Sequence, residues 1–171
     1  MRAPLIVCIN GLPGSGKSTV ARGLASRCER GVWLDGDQLQ HGFTLSGCVD
    51  PGEGSDESWR QLFLRWDNLA SLTRNFVDAG FDVFVDSLVL PRLWERFCGA
   101  VAPLEVSYVH LAPDRRVGLE RDAQRDHASV GDRYDFIADE FEPLRALGTW
   151  VDSTHQTPEQ TIEQVWQLRG R

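Results

Sequence analysis

The chain has 171 residues, 42% of them hydrophobic, enough to bury one compact core. Its 25 acidic residues outnumber 18 basic ones, giving a formal charge of −7, and no arginine-dense stripe offsets it; wrapping a polyanion such as nucleic acid is disfavoured. The four cysteines, Cys8, Cys28, Cys48 and Cys98, show neither zinc-type pairing nor a disulfide framework, and the apolar run before Asn10 is too short for a secretory signal or membrane span, so the expected setting is the cytoplasm with no membrane partner.

In chain order, apolar β-rich runs alternate with segments of helical length. Residues 5–10 (LIVCIN) form the first predicted strand. Residues 11–18 follow at once and satisfy G-x-x-x-x-G-K-[ST], in the strand-then-helix context that a phosphate-binding loop requires. Glycines there let backbone N–H groups converge on phosphate oxygens, while the start of a predicted helix over 17–28 adds partial positive charge. Gly11, Leu12, Pro13, Gly14, Ser15, Gly16, Lys17, Ser18 and Thr19 are therefore candidate ATP-binding residues, with the Ser18 hydroxyl a candidate Mg²⁺ ligand. Lys17 is the chain's only lysine, against seventeen arginines. A compact, rotatable ammonium suits a closed phosphate loop in a way that a planar guanidinium does not.

The second strand is predicted at 32–34, and it runs into Asp35-Gly36-Asp37. Parallel strands present their carboxyl ends to the ligand, which makes Asp35 the candidate for the Mg²⁺ shell and Asp37 the candidate base for a substrate hydroxyl. Alone, the same residues would read as an ordinary D-G turn with Asp37 as a cap. His41 is a possible pocket member. Residues 45–56 form the longest loop and a possible substrate flap. The apolar spacing from 58 to 79 predicts a long helix ended by Gly80. Its stripe of Trp59, Phe63 and Trp66 is either an apolar substrate pocket or the packing face of the helix. Arg60, Arg65 and Arg92 are alternative anchors for an acidic substrate group. Strands at 81–86, 105–111 and 149–152, with helices at 91–98, 114–125, 135–147 and 158–168, complete the pattern. The alternation implies a three-layer α/β fold around a parallel sheet of about five strands, in one domain over 1–171.

With these motifs in place, the chain resembles the small P-loop kinases of metabolites and drugs: shikimate kinase, gluconate kinase, adenylylsulfate kinase and chloramphenicol phosphotransferase. "GSGKST" with "LDGDQLQHGF" is most similar to adenylylsulfate kinase, but after the third strand this chain reads "VDSLVLPRLWERF" where that family carries an F-I-S-P-[FY]-R type segment. The remainder resembles gluconate kinase and chloramphenicol phosphotransferase. That resemblance implies an active-centre role for Asp86, as a Walker B-like carboxylate or a substrate contact, although a cap on the following segment is an equal alternative. It also implies a substrate-binding flap and helix over 43–79 and a lid over 121–135. Within the lid, Arg121 would lie against adenine, Arg125 would reach the phosphates, and Arg133 would assist. Asp152, Ser153 and Thr154 fall where such kinases close over the nucleotide. The expected activity is transfer of the ATP γ-phosphate to a hydroxyl of a small molecule, a metabolite or an antibiotic, with Mg²⁺. Adenylylsulfate kinase and a regulatory nucleotide switch are the alternatives.

Overall fold

The computed structural model describes residues 2–44, 46–124 and 130–168. Strands β1 (Ile6–Asn10), β2 (Gly31–Asp35), β3 (Asp82–Asp86), β4 (Ser107–Leu111) and β5 (Thr149–Val151) form one all-parallel sheet in the order β2-β3-β1-β4-β5. Helices α1 (Lys17–Ser26), α2 (Asp56–Asp78), α3 (Pro91–Val101), α4 (Arg115–Ala123) and α5 (Pro158–Leu168) connect or follow the strands. This is the three-layer α/β architecture implied by the alternation.

Period-two alternation along the central strands sorts the core into two faces. Ile6, Cys8, Val83 and Val85 meet Leu62, Trp66 and Leu69 of α2 and Leu93 and Phe97 of α3. Val7, Ile9 and Phe84 meet Val20 and Leu24 of α1 and Val165 of α5. Strands β1 and β3 are buried along their whole lengths, which explains why they read as unbroken apolar runs.

Local chemistry sets the element ends. Helix α2 starts at Asp56 because Ser55 caps it, its Oγ accepting from the Ser58 N–H at 3.1 Å, and Asp56 and Glu57 favour the positive helix start. Helix α1 stops at Ser26, short of the expected 28, where the N–H groups of Arg27 and Cys28 turn back to Leu24 and Ala25. Helix α3 runs past the expected 98 to the buried Val101. The helix expected over 135–147 is instead a 3-10 helix, Asp135–Leu147. Pro143 lies inside it, and proline can neither donate to nor fit against the preceding turn of an α-helix.

The aromatic stripe of α2 is its packing face. Trp66, a candidate pocket residue from sequence, is fully buried and lies edge-on to Phe97 with ring centroids 5.2 Å apart. Trp59 and Phe63 pack partly buried on the same core, and the Arg92 guanidinium sits 5.3 and 5.4 Å from their rings. Arg92 thus covers aromatic surface rather than presenting itself to a ligand.

Beneath the phosphate-binding loop lies a buried polar network absent from the sequence expectations. Asn10 ends β1; its Nδ2 donates to Val89 O at 2.9 Å and to Tyr108 Oη at 2.8 Å, and its Oδ1 accepts from Val89 N at 3.0 Å. Since Asn10 donates to Oη, the phenol keeps its own hydrogen for His110 Nδ1, 3.1 Å away. The His110 ring stacks on Trp150 at 3.9 Å with an 8° interplanar angle.

Two expectations follow from this packing. Trp66→Ala removes a fully buried indole and should cost about 3–5 kcal/mol of stability, read as a lower Tm. Burial, helped by Lys17 and Arg145, holds His110 down to about 4 from 6.5. The unfolded chain therefore takes up this proton first on acidification, so the stabilisation by neutral His110 is complete above 6.5 and is lost as pH falls toward 4. The Tm of the wild-type protein should fall relative to that of His110→Gln across this window.

Candidate active site

The site forms at the carboxyl edge of the sheet, where β1 turns into α1. Gly14 adopts a positive φ of +79°, and a Cβ there would lie 1.9 Å from the Gly118 carbonyl oxygen of α4, so both the backbone shape and the close approach require glycine. Gly16, at the start of α1, also has a left-handed backbone. The loop closes on itself through Ser15 N to Leu12 O at 3.1 Å, and Lys17 Nζ donates to Leu12 O at 3.2 Å.

Register places Asp86 of β3 between Ile9 of β1 and Asp35 of β2. Asp86 is 3% exposed. Burial pushes its carboxyl up to about 6, against the opposing pull of the Lys17 ammonium and a hydrogen bond from Ser18. Among the described residues its Oδ2 has no hydrogen-bond partner. Asp35 Oδ1 accepts from the N–H groups of Asp37 and Gln38 at 2.9 and 3.1 Å, fixing the turn that carries Asp37. Asp86, for which the resemblance implied a Walker B-like or a substrate-contacting role, stands beside the phosphate loop, next to Ser18 and Asp35. An orphaned carboxylate oxygen with a hydroxyl and a second carboxylate beside it is a hard-oxygen set that fits Mg²⁺. Among the described residues no three His, Cys, Asp or Glu side chains could hold a metal by themselves, so phosphate oxygens and water would have to complete the shell.

Two of the cavities against the loop are built from candidate site residues. One, of about 380 Å³, is lined by Gly14, Gly16, Thr19, Arg121, Ser153 and Gln156. Arg121 Nη2 donates to Ser153 O at 2.9 Å, which holds the guanidinium as a wall. Asp152 Oδ1 accepts from Thr154 N at 2.9 Å, and Thr154 Oγ1 accepts from Asp114 N at 2.8 Å, tying the turn after β5 to the start of α4. Arg121, Ser153 and the phosphate loop are thus brought together around one cavity; Asp152 and Thr154 shape the turn behind them.

The other cavity, of about 570 Å³, is lined by Lys17 and Ser18 together with Asp37, Gln38, His41 and Arg65. Pro13, Pro51, Leu88 and Val130 contribute apolar surface. Across it, Asp50 accepts from Tyr134 Oη at 2.6 Å and from Arg133 Nη1 at 2.5 Å, joining the loop before α2 to the segment after α4. Burial raises the Asp50 carboxyl, but the bonds from Tyr134, Gly52 and Arg133 together bring it below its ordinary value. Burial, and then the bond to Asp50, push the Tyr134 phenol up to about 12. Arg133, expected on the nucleotide side, lies in this second cavity, and Trp59, Phe63 and Trp66 do not line it. Arg125 lies outside the described residues.

Sequence reasoning missed Asp50, Tyr134 and Arg115. Arg115 Nη2 donates to Gly131 O at 2.8 Å and Nη1 to Pro13 O at 3.4 Å, while its Nε bonds Asp135 at 2.9 Å, so one side chain links α4, the segment after it and the phosphate loop. No local pattern distinguishes Arg115 from Arg116, or Asp50 from Glu53 and Asp56.

A parallel sheet in this strand order, with a glycine-rich turn from its central strand into a helix and carboxylates on the neighbouring strand ends, defines a P-loop nucleotide-binding protein of the small-kinase fold. A family model described as an AAA domain matches residues 6–147, and the chain belongs to that family. No curated protein matches it in sequence. Among solved structures it is similar to the tunicamycin resistance protein of Deinococcus radiodurans, with 23% identity over 99% of this chain and 96% of that one and a TM-score of 0.69. It is likewise similar to a sugar kinase from Janibacter sp. HTCC2649, at 22% identity over 96% and 94% with a TM-score of 0.66. An APS kinase from Mycobacterium tuberculosis, solved with AMPPNP and APS, shares 17% identity over 98% of each chain with a TM-score of 0.67. These likenesses establish a shared fold.

Gly14→Ala should lower ATP affinity about ten-fold or more, because a Cβ strains the left-handed turn and forces the loop off Gly118. Titration of ATP against the two proteins measures this.

Proposed function

We propose that the protein is an ATP-dependent small-molecule kinase that transfers the γ-phosphate to an acceptor hydroxyl. One observation carries this reading: Asp37 and the phosphate-loop residues Lys17 and Ser18 line one cavity large enough for a small molecule, while a separate cavity on the other side of the loop suits the nucleotide base. The acceptor hydroxyl gives its proton to the Asp37 carboxylate as its oxygen bonds the γ-phosphorus. The bond from that phosphorus to the bridging oxygen breaks, and ADP leaves. Lys17 and the loop N–H groups stabilise the charge on the phosphates. Mg²⁺, held by Ser18 with Asp86 and Asp35 in its shell, supplies further neutralisation when bound. By resemblance, Arg125 contributes from the lid, and Arg121 faces the base.

Both arginines that face the acceptor cavity are already ion-paired, Arg65 with Asp37 and Arg133 with Asp50. With apolar surface beside them, this supports a neutral hydroxylated acceptor with an apolar body, as in the antibiotic-modifying branch. It weighs against adenylylsulfate, which carries sulfate and phosphate. A purely regulatory nucleotide switch would have no need of a carboxylate-bearing chamber at the phosphate end. ATP dependence and the four cysteines, none of them in a disulfide, suit a reducing compartment such as the cytoplasm. No helix among the described residues is long and apolar enough to cross a membrane.

Hydroxylated metabolites and antibiotics, offered one at a time with Mg·ATP, should include at least one that accelerates ADP release. With that acceptor, Asp37→Asn should lower kcat by about 10²–10⁴ while ATP affinity stays within about two-fold. Undiminished transfer by Asp37→Asn would remove Asp37 from the base role.

A further inference from the structure

We propose that Arg65 is the positioning residue for Asp37, with its guanidinium committed to that carboxylate rather than to an anionic group on the acceptor. The proposal rests on the reading of Asp37 as the base. Arg65 lies within α2 and is 3% exposed. Its Nε donates to Gln40 Oε1 at 2.7 Å, its Nη2 bonds the same oxygen, and its Nη1 donates to Asp37 Oδ1 at 2.8 Å. Gln40 is itself buried and anchored, its Nε2 donating to Val49 O at 3.1 Å.

The two partners are very unequal in exposure: the Arg65 side chain is 2% exposed and that of Asp37 is 73% exposed. A guanidinium packed on its stem and clamped by Gln40 cannot follow a carboxylate that swings in solvent; the carboxylate is held by the guanidinium. Without that bond Asp37 would sample several rotamers. With it, Oδ1 is fixed and Oδ2 is left as the oxygen that can take the acceptor proton. Precision of this kind is what converts a nearby carboxylate into an effective base.

The backbone accommodates the pair. A Cβ on Gly36 would lie 2.5 Å from Ser87 Oγ and 3.3 Å from Arg65 Cδ, so the glycine between the two aspartates lets β3 and the Arg65 side chain approach the turn. Used instead as an anchor for a substrate carboxylate or phosphate, Arg65 would have only its two remaining N–H groups, one on each Nη, on a side chain that is 2% exposed. Giving up Asp37 for such a group would exchange one formed ion pair for another and gain little. Lysine could not replace it, because one ammonium on a flexible stem does not present two bonded edges at fixed angles.

The test uses Mg·ATP as the sole ligand, with water in the place of the acceptor hydroxyl and ADP release as the readout. Arg65→Lys should lower kcat about ten-fold or more with the KM for ATP within about two-fold, and should add less than about two-fold to the loss already present in Asp37→Asn. The same coupling should hold for Gln40→Met, which frees the guanidinium from its other anchor and serves if Arg65→Lys does not fold. Full turnover in Arg65→Lys, or losses that multiply in the double variant, would overturn the positioning role. If Asp37→Asn alone keeps full turnover, the base assignment falls and this role with it. If instead no alcohol in the acceptor screen accelerates ADP release, the proposed function fails while the coupling in water remains measurable.

Discussion

A carboxylate buried at the carboxyl edge of a parallel sheet is the constraint around which the rest of this molecule is arranged. Asp86 is pushed up to about 6 by burial, and Lys17 and Ser18 at the start of α1 oppose that shift. A charge in such a place survives through its partners, so β3 and the phosphate loop depend on one another. Their relative placement is secured by Asn10, which bonds both the N–H and the C=O of Val89 just beyond β3. The same placement brings Asp35 level with Asp86 on the next strand, and Asp35 in turn shapes the turn that carries Asp37. Three carboxylates are thus set at the sheet edge by one strand register.

The larger cavity beside the phosphate loop is walled by charges that cancel in pairs, and the two pairs differ in kind. Arg65 with Asp37 joins α2 to the turn after β2, and its guanidinium is buried. Arg133 with Asp50 joins the segment after α4 to the loop before α2, with the Arg133 side chain 63% exposed. An exposed pair contributes little and parts easily, whereas a buried arginine stripped of its partner is costly. One wall of the cavity therefore rests on a buried guanidinium, and another on an exposed ion pair that Tyr134 supports through its own bond to Asp50.

Much of the fold is readable along the chain because the relevant forces act over a few residues or follow a simple period. The buried strands declare themselves as apolar runs, and Ser55 and Asp114 cap α2 and α4 through bonds within three residues. Where reading failed, a longer-range or subtler requirement prevailed. The spacing over 135–147 is helical, yet the segment, with Pro143 inside it, forms a tighter 3-10 helix. The stripe of Trp59, Phe63 and Trp66 has the same periodicity whether it faces a ligand or the core, and the packing of α2 on α3 decided for the core.

By itself the sequence determined the phosphate-binding loop, the lone lysine within it and the D-G-D turn, since each depends on backbone dihedrals and neighbours within one strand-turn-helix unit. Tertiary structure alone decided the partners of those residues. Arg65 reaches Asp37 across 28 positions, Tyr134 reaches Asp50 across 84, and Asn10 reaches Val89 across 79. Such pairs form only where the whole core fixes how α2, the segment after α4 and the β3 end return to the sheet edge. A residue's type and immediate neighbours say nothing of that return, because it is a property of how both faces of the sheet are filled.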